Sequence, residues 1–242
     1  MVAARVRHQQ FLQQRLPLGQ VQAAVQAQSA ATASSASQRA AAATVQKKLP
    51  RLLSVMHQHF GENRPLLYFC MDESRWGLKT ELGRRITLKG VKPVAPVQWP
   101  RANCWLYGAV EVPSGQSVFY VFSHLDAVCF QRFLDHLAQQ FPTSFNLLQL
   151  DQAGAHIATQ LQWPSNVLPV FQPAASPELN PIERLWQELK ARFKGLNFAS
   201  LEALQQWLFR QLESLSNREI RSLTSRSFIR RAVRTFNKVH SL

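Results

Sequence analysis

Apolar positions along this chain fall into two rhythms. "LLYFCMD" (Leu66 to Asp72) and "FNLLQLD" (Phe145 to Asp151) are solid apolar runs, each ending in Asp. Such runs suit strands buried on both faces. "GRRITLKG", "WLYGAVEV", "SVFYVF" and "NVLPVFQ" read as further strands, with the turn "PSGQ" joining the second to the third. Helical spacing takes over in "LDAVCFQRFLDHLAQQF", where Phe130, Phe133, Leu134, Leu137 and Phe141 share a face and Asp126 can cap. A short helix is expected from Ala155. In "SPELNPIERLWQELK" the residues Ile182, Leu185, Trp186 and Leu189 make one apolar stripe. Asn180 suits the N-cap there, and Pro181 the first helical position. The sum predicts an α/β domain with a mixed sheet flanked by helices, over residues 46–198.

Composition divides the rest. Residues 1–45 are rich in Ala, Gln and Ser and read as a basic arm, weakly helical or disordered. Residues 199–242 read as basic C-terminal helices packed on or extending the domain. From Arg184 to the end there are twelve Lys/Arg and four Glu. The whole chain carries 28 Lys+Arg against 14 Asp+Glu, a formal net charge of +14. A chain this basic points to a polyanionic partner, nucleic acid before membrane surface. No segment is apolar and long enough to span a bilayer, and the N-terminus lacks a signal-peptide apolar core. Cys70, Cys104 and Cys129 are scattered among apolar residues without zinc spacing, which suits buried reduced thiols.

The carboxylates then change the picture. If the strands ending in Asp72 and Asp151 are parallel neighbours, both acids emerge at one sheet edge, about 5 Å apart. That edge is where open sheets bind ligands. Glu183, on the first turn of a following helix, can reach the same point. Three carboxylates without His or Cys select a hard cation, Mg²⁺ or Mn²⁺ rather than Zn²⁺. Each residue also has a plainer reading. Glu183 lies three residues after Asn180 and fits a capping box. Asp72 and Asp151 fit turns, and Glu73 competes with Asp72 as the ligand. His156 can contact phosphate, pack or cap a helix. Trp76 and Trp99 can stack on bases or sit in the core.

"CMDESRWGLKTELGRRITLKGVKP", "WLYGAVEVPSGQ", "LLQLDQAGAH" and "FQPAASPELNPIERLWQELK" together resemble the blocks of DDE transposases of the mariner-like superfamily, in the bacterial insertion-sequence branch. The similarity runs from about Val45 to about Val233. It implies a ribonuclease-H-like fold and a cytoplasmic enzyme that cuts and joins double-stranded DNA, at element ends and target, with two Mg²⁺ or Mn²⁺ ions. A homodimer is compatible with it. The family carboxylates fall on Asp72, Asp151 and Glu183. Asp72 is then expected between the two ions, and Lys190, Lys194 and His156 are candidate DNA contacts. Two positions depart from the family pattern: Gln152 stands where Asn is usual, and "PAASP" (Pro173 to Pro177) lacks the usual Tyr. No pair of helix-turn-helix units is legible in the first 45 residues, so a catalytic half is expected, with DNA binding carried by phosphate contacts and little sequence preference. Two other readings stay open: a ribonuclease-H-like nuclease acting on RNA or hybrid, and a decayed transposase that only binds nucleic acid.

Overall fold

The computed structural model describes residues 43–44, 47–55, 64–83, 86–173 and 176–240. The arm expected over residues 1–45 thus lies almost wholly outside the described residues. A helix, α1, covers residues 47–55. The sheet elements are β1 (Leu66–Gly77), β2 (Asn103–Glu111), β3 (Ser117–Phe122), β4 (Phe145–Leu150) and β5 (Val167–Phe171). The helices are α2 (Ala127–Gln140), α3 (Ile182–Phe193), α4 (Leu201–Glu213), α5 (Asn217–Thr224) and α6 (Ser227–His240), with a 3-10 turn at Pro177–Leu179 before α3.

Strand order is β3-β2-β1-β4-β5. β1, β2 and β3 pair antiparallel as a meander, and β1, β4 and β5 pair parallel. This is the mixed sheet expected of a ribonuclease-H-like fold. β4 is buried along its whole length and β1 over its first half because helices cover both faces of the sheet there. On one face Phe69, Met71, Tyr107 and Ala109 meet Phe130, Phe133, Leu134 and Leu137 of α2. On the other, Trp76, Leu106 and Val110 meet Ile182, Leu185, Trp186 and Leu189 of α3 and Leu204 and Leu208 of α4. A third cluster joins Tyr68, Cys70 and Leu147 to Leu49 and Leu53 of α1 and to Ile229, Ala232 and Phe236 of α6. Each such large apolar side chain contributes about 1.5–3 kcal/mol on burial. The C-terminal helices therefore share the core of the sheet. Asp126 caps α2 by accepting from the Cys129 amide at 2.8 Å. The three cysteines are buried and free. No helix among the described residues is long and apolar enough to cross a membrane.

Three expectations give way to the structure. β1 does not end at Asp72 but runs on to Gly77, because β2 keeps pairing with it as far as Asn103. "GRRITLKG" forms no strand over its described residues, 83 and 86–90. Its alternation has no partner strand, and Ile86 and Leu88 stand in solvent. The segment between β1 and β2 instead leaves the sheet and is fastened at its base to the α3–α4 junction. Gly195 N–H donates to the Glu81 carbonyl at 2.9 Å, and Phe198 N–H to Gln98 Oε1 at 2.9 Å. The short helix expected from Ala155 is only a turn, closed by the His156 amide on the Ala153 carbonyl at 2.9 Å. The His156 ring is drawn into the interior.

The β2–β3 turn explains one glycine. Gly115 has φ of +82°, and a Cβ there would meet the Asn217 carbonyl oxygen at 2.0 Å. Both the left-handed backbone and the contact with α5 exclude a side chain. Gly115→Ala should therefore destabilise the protein by about 2–4 kcal/mol, read as a lower denaturation midpoint with unchanged slope.

Candidate active site

Parallel pairing sets Cys70 opposite Gln149, so two residues further along Asp72 comes level with Asp151. Successive side chains alternate between faces. Asp72 accordingly points to the α3 side and Glu73 to the α2 side. Opposite Asp72 on β2 is Gly108. A Cβ at Gly108 would lie 2.7 Å from the Trp186 ring and 2.8 Å from that of Phe119. The glycine makes room for the indole, and Trp186 Nε1 donates to Asp72 Oδ2 at 3.0 Å. The apolar stripe of α3 thus carries a donor that aims the central acid.

The start of α3 is pinned to the same strand. Asn180 stands at the N-cap as expected, with extended backbone (φ −94°, ψ 105°), and Pro181 takes the helical angles of a first residue. The Asn180 Nδ2 also donates to the Met71 carbonyl at 2.8 Å, one residue before Asp72. Its Oδ1 accepts a long bond of 3.4 Å from the Ile182 amide. Gln149 of β4 holds the preceding turn by donating to the Leu179 carbonyl at 2.9 Å, and the Tyr68 hydroxyl donates back to Gln149 at 2.6 Å. These bonds place Glu183 over Asp72 in the middle of β1 and the end of β4. No capping-box bond is made by the Glu183 side chain. Asp72, Glu183, Trp186, Lys190 and Lys194 line one cleft of about 580 Å³.

The acids repel one another. Burial, then the charges of Glu183 and Glu73, push Asp72 up to about 8. Burial and the charge of Asp151 raise Glu183. Asp151 is the exception: a hydrogen bond from His156 holds it below the usual carboxylate range. His156 is 2% exposed. Its Nδ1 donates to Asp151 Oδ1 at 2.7 Å and its Nε2 to Glu73 Oε1 at 2.8 Å. Burial alone would lower its pKa, but these two carboxylates hold it up at about 10. The Ala153 amide also donates to Asp151 Oδ1, at 2.9 Å. Asp151 is therefore fixed through one oxygen from behind, which leaves the other for a ligand.

Among the described residues, no group of three acidic, His or Cys side chains is already closed into a coordination shell. The donor chemistry nevertheless fits a hard divalent cation. Asp72, Asp151 and Glu183 offer only oxygens, and their mutual repulsion is what such a charge relieves. His156 lies behind Asp151 and is not a further ligand.

The structure separates the candidate DNA contacts. The phosphate-contact reading of His156 is corrected: it is buried and both nitrogens are committed to carboxylates. Lys190 lines the cleft, but its ammonium is held by Glu81 at 2.9 Å and the Arg75 carbonyl at 2.7 Å, and lies 4.2 Å from the centre of the Trp76 ring. Lys194 lines the cleft and is exposed. Trp76 is core and Trp99 is exposed. Sequence reasoning missed Gly108, Asn180 as a tether, Trp186 as a donor and the Glu73–His156 pair. "DESRW" and "DQAGAH" contain that pair, but only the fold shows that residues 83 positions apart meet.

A family model described as "DDE superfamily endonuclease" matches residues 68–205. A Sinorhizobium fredii protein described as "Uncharacterized protein y4pE/y4sA" is 33% identical over 87 residues, covering 36% of this chain and 64% of that protein. Among solved structures, a pre-cleavage Mos1 transpososome is similar at TM-score 0.55 and 15% identity, over 78% of this chain and 60% of that one. A Mos1 strand transfer complex is similar at TM-score 0.53 and 17% identity, over 78% and 59%. The chain spans less than two thirds of the length of each of these relatives. At such identities the structural likeness establishes the fold.

Two outcomes follow from this geometry. Gly108→Ala should force Trp186 aside and cost about 1–3 kcal/mol, with the Trp186 emission altered in a fluorescence-monitored unfolding. The pH dependence of stability has a definite sign. Asp72 in the folded chain lies above its ordinary 3.8, and His156 above its ordinary 6.5. Each therefore holds a proton in the folded state that the unfolded chain has released, so stability falls as pH rises. Without added metal, melting temperature should decline from pH 4 through about 8 on account of Asp72, and on toward 10 on account of His156. Asp72→Asn should flatten the first decline. His156→Gln should flatten the second and cost about 3–5 kcal/mol near pH 6, because Glu73 is left buried and unpaired.

Proposed function

The chain belongs to the DDE superfamily of endonucleases, and on that premise we propose that it is the catalytic domain of a transposase that cleaves and joins the strands of double-stranded DNA. The observation that carries this reading is the convergence of Asp72, Asp151 and Glu183, from two parallel strands and one helix, in a chain of net charge +14. An acidic centre inside a basic protein suits a polyanionic substrate only if cations mediate between them. Two of the similar structures are titled as Mos1 mariner paired-end complexes with Mn and with Mg. We assign two Mg²⁺ or Mn²⁺ ions to this site, held by Asp72, Asp151 and Glu183.

Such cations, when bound, polarise the phosphodiester and lower the pKa of the attacking water or 3′-hydroxyl. What the chain itself does is position and exclude. Trp186 fixes one oxygen of Asp72 and shields it from water on the α3 side. His156 and the Ala153 amide set the plane of Asp151, the usual work of groups behind a metal ligand. Asn180 sets the height of Glu183 above β1. Lys194 and Arg75, on the rim of the same cleft, offer positive charge to the phosphates flanking the scissile one. Element ends and target DNA are the substrates this reading supplies, and a homodimer is the assembly that would bring two such centres to two ends.

Nicking of supercoiled DNA tests it. Mg²⁺-dependent nicking should fall at least about 10³-fold for Asp72→Asn, Asp151→Asn and Glu183→Gln, with DNA affinity within about threefold of the unaltered chain. Nicking by Glu183→Gln at the unaltered rate would sink its metal role.

A further inference from the structure

The far end of β1 from the acids carries a second, oppositely charged feature. There the β2–β3 turn packs against α5, and the Val112 amide donates to the Tyr68 carbonyl at 3.3 Å. Tyr68 is four residues before Asp72, or about 13 Å along the strand. Between this turn, α5 and the start of α6 lies a cleft of about 690 Å³, floored by Val112 and Pro113. Its walls carry Arg218, Arg221 and Arg230, with Ser222 and Ser225, and no carboxylate. Arg218 and Arg221 are three apart on α5 and face the same way. None of the three arginines takes part in an ion pair among the described residues. Arg230 only donates a long bond of 3.4 Å to the Ser225 hydroxyl.

A second observation points to an anion independently. Arg226, beside Ser225, has a buried Nε without a hydrogen-bond partner. Burial depresses its pKa, the neighbouring charge of Arg184 depresses it further, and Glu178 offsets part of this. Arg184 directly follows Glu183 on α3. Two guanidinium groups are thus held together at a cost that a bound anion would offset. The first turn of α6 contains no acidic residue, so the positive end of that helix adds to the same field. Arg184 and Arg226, with Glu178 beside them, thus lie next to the arginine-lined cleft, which Arg226 adjoins through Ser225.

We propose that Arg218, Arg221 and Arg230, continued by Arg226 and Arg184, grip the phosphodiester backbone of a DNA duplex outside the stretch that is cut. Three exposed forks without a base-reading element suit phosphates and not bases. Duplex DNA is the choice of polyanion that rests on the reading of the chain as a DNA-cutting enzyme; the anion site itself does not.

The test is metal-free binding of random-sequence duplex DNA, measured by fluorescence anisotropy across a salt series. The triple variant Arg218→Gln/Arg221→Gln/Arg230→Gln should bind at least about tenfold more weakly at low salt. The slope of log affinity against log salt should shrink by about 2–3, since each phosphate contact contributes roughly 0.9. The triple lysine variant should recover most of the slope, which separates lost charge from lost fold. Equal affinity and slope for the glutamine variant and the unaltered chain would overturn the proposal while leaving the catalytic reading intact. So would a loss of binding confined to duplex RNA. If the unaltered chain binds no DNA at all, both readings fall. Loss of nicking in Asp72→Asn with the salt slope kept would support the catalytic reading separately.

Discussion

Parallel pairing of β1 with β4 is the constraint on which the site rests. Its register brings Asp72 and Asp151 to the same level on the same face. Once that register is set, the surroundings must manage concentrated negative charge in a half-buried place. They do so on three sides. The Trp186 indole supplies a donor to Asp72. The His156 imidazolium neutralises Asp151 and Glu73 together from behind. The remaining repulsion, between Asp72 and Glu183 at the front, is left unrelieved, and that is the face open to a cation.

The same logic explains residues that look structural. Gly108 is small because Trp186 must reach across β2 to Asp72. Gln149, a polar residue inside an otherwise apolar strand, is fully engaged with Tyr68, Gln172 and the Leu179 carbonyl. A buried amide with every group satisfied fixes geometry more rigidly than an apolar side chain would. It holds the turn that leads into α3, and Asn180 finishes the task. The position of Glu183 therefore depends on two side-chain amides that bond carbonyls of distant chain segments.

Charge is divided in space. The acids gather at the middle of β1 and the end of β4, and arginines gather beyond the start of β1 and along α5 and α6. A net charge alone does not specify such a division. It arises because the basic C-terminal helices wrap the side of the sheet that also carries α3, with Ile229, Ala232 and Phe236 buried against Tyr68, Cys70 and Leu147. Burying their apolar stripe turns their arginines outward.

The sequence by itself determined where the strands β1 through β5 begin, the cap of α2, the apolar stripe of α3 and the approach of three acids to one another. These depend on local periodicity and on residue types whose chemistry is narrow. It misjudged "GRRITLKG", where alternation without a partner strand does not make a strand, and the segment from Ala155, which forms only a turn. It placed Asn180 at the N-cap correctly, but the N-cap rule sees only the next three residues and not the Met71 carbonyl. Only the tertiary structure decided that Asn180 reaches Met71, that His156 joins Glu73 to Asp151 across 83 residues, and that Gly108 faces Trp186. Those are contacts between segments far apart in the chain. Local pattern carries no information about which strand lies beside which, and hydrogen bonds of this kind exist only after the sheet register is fixed.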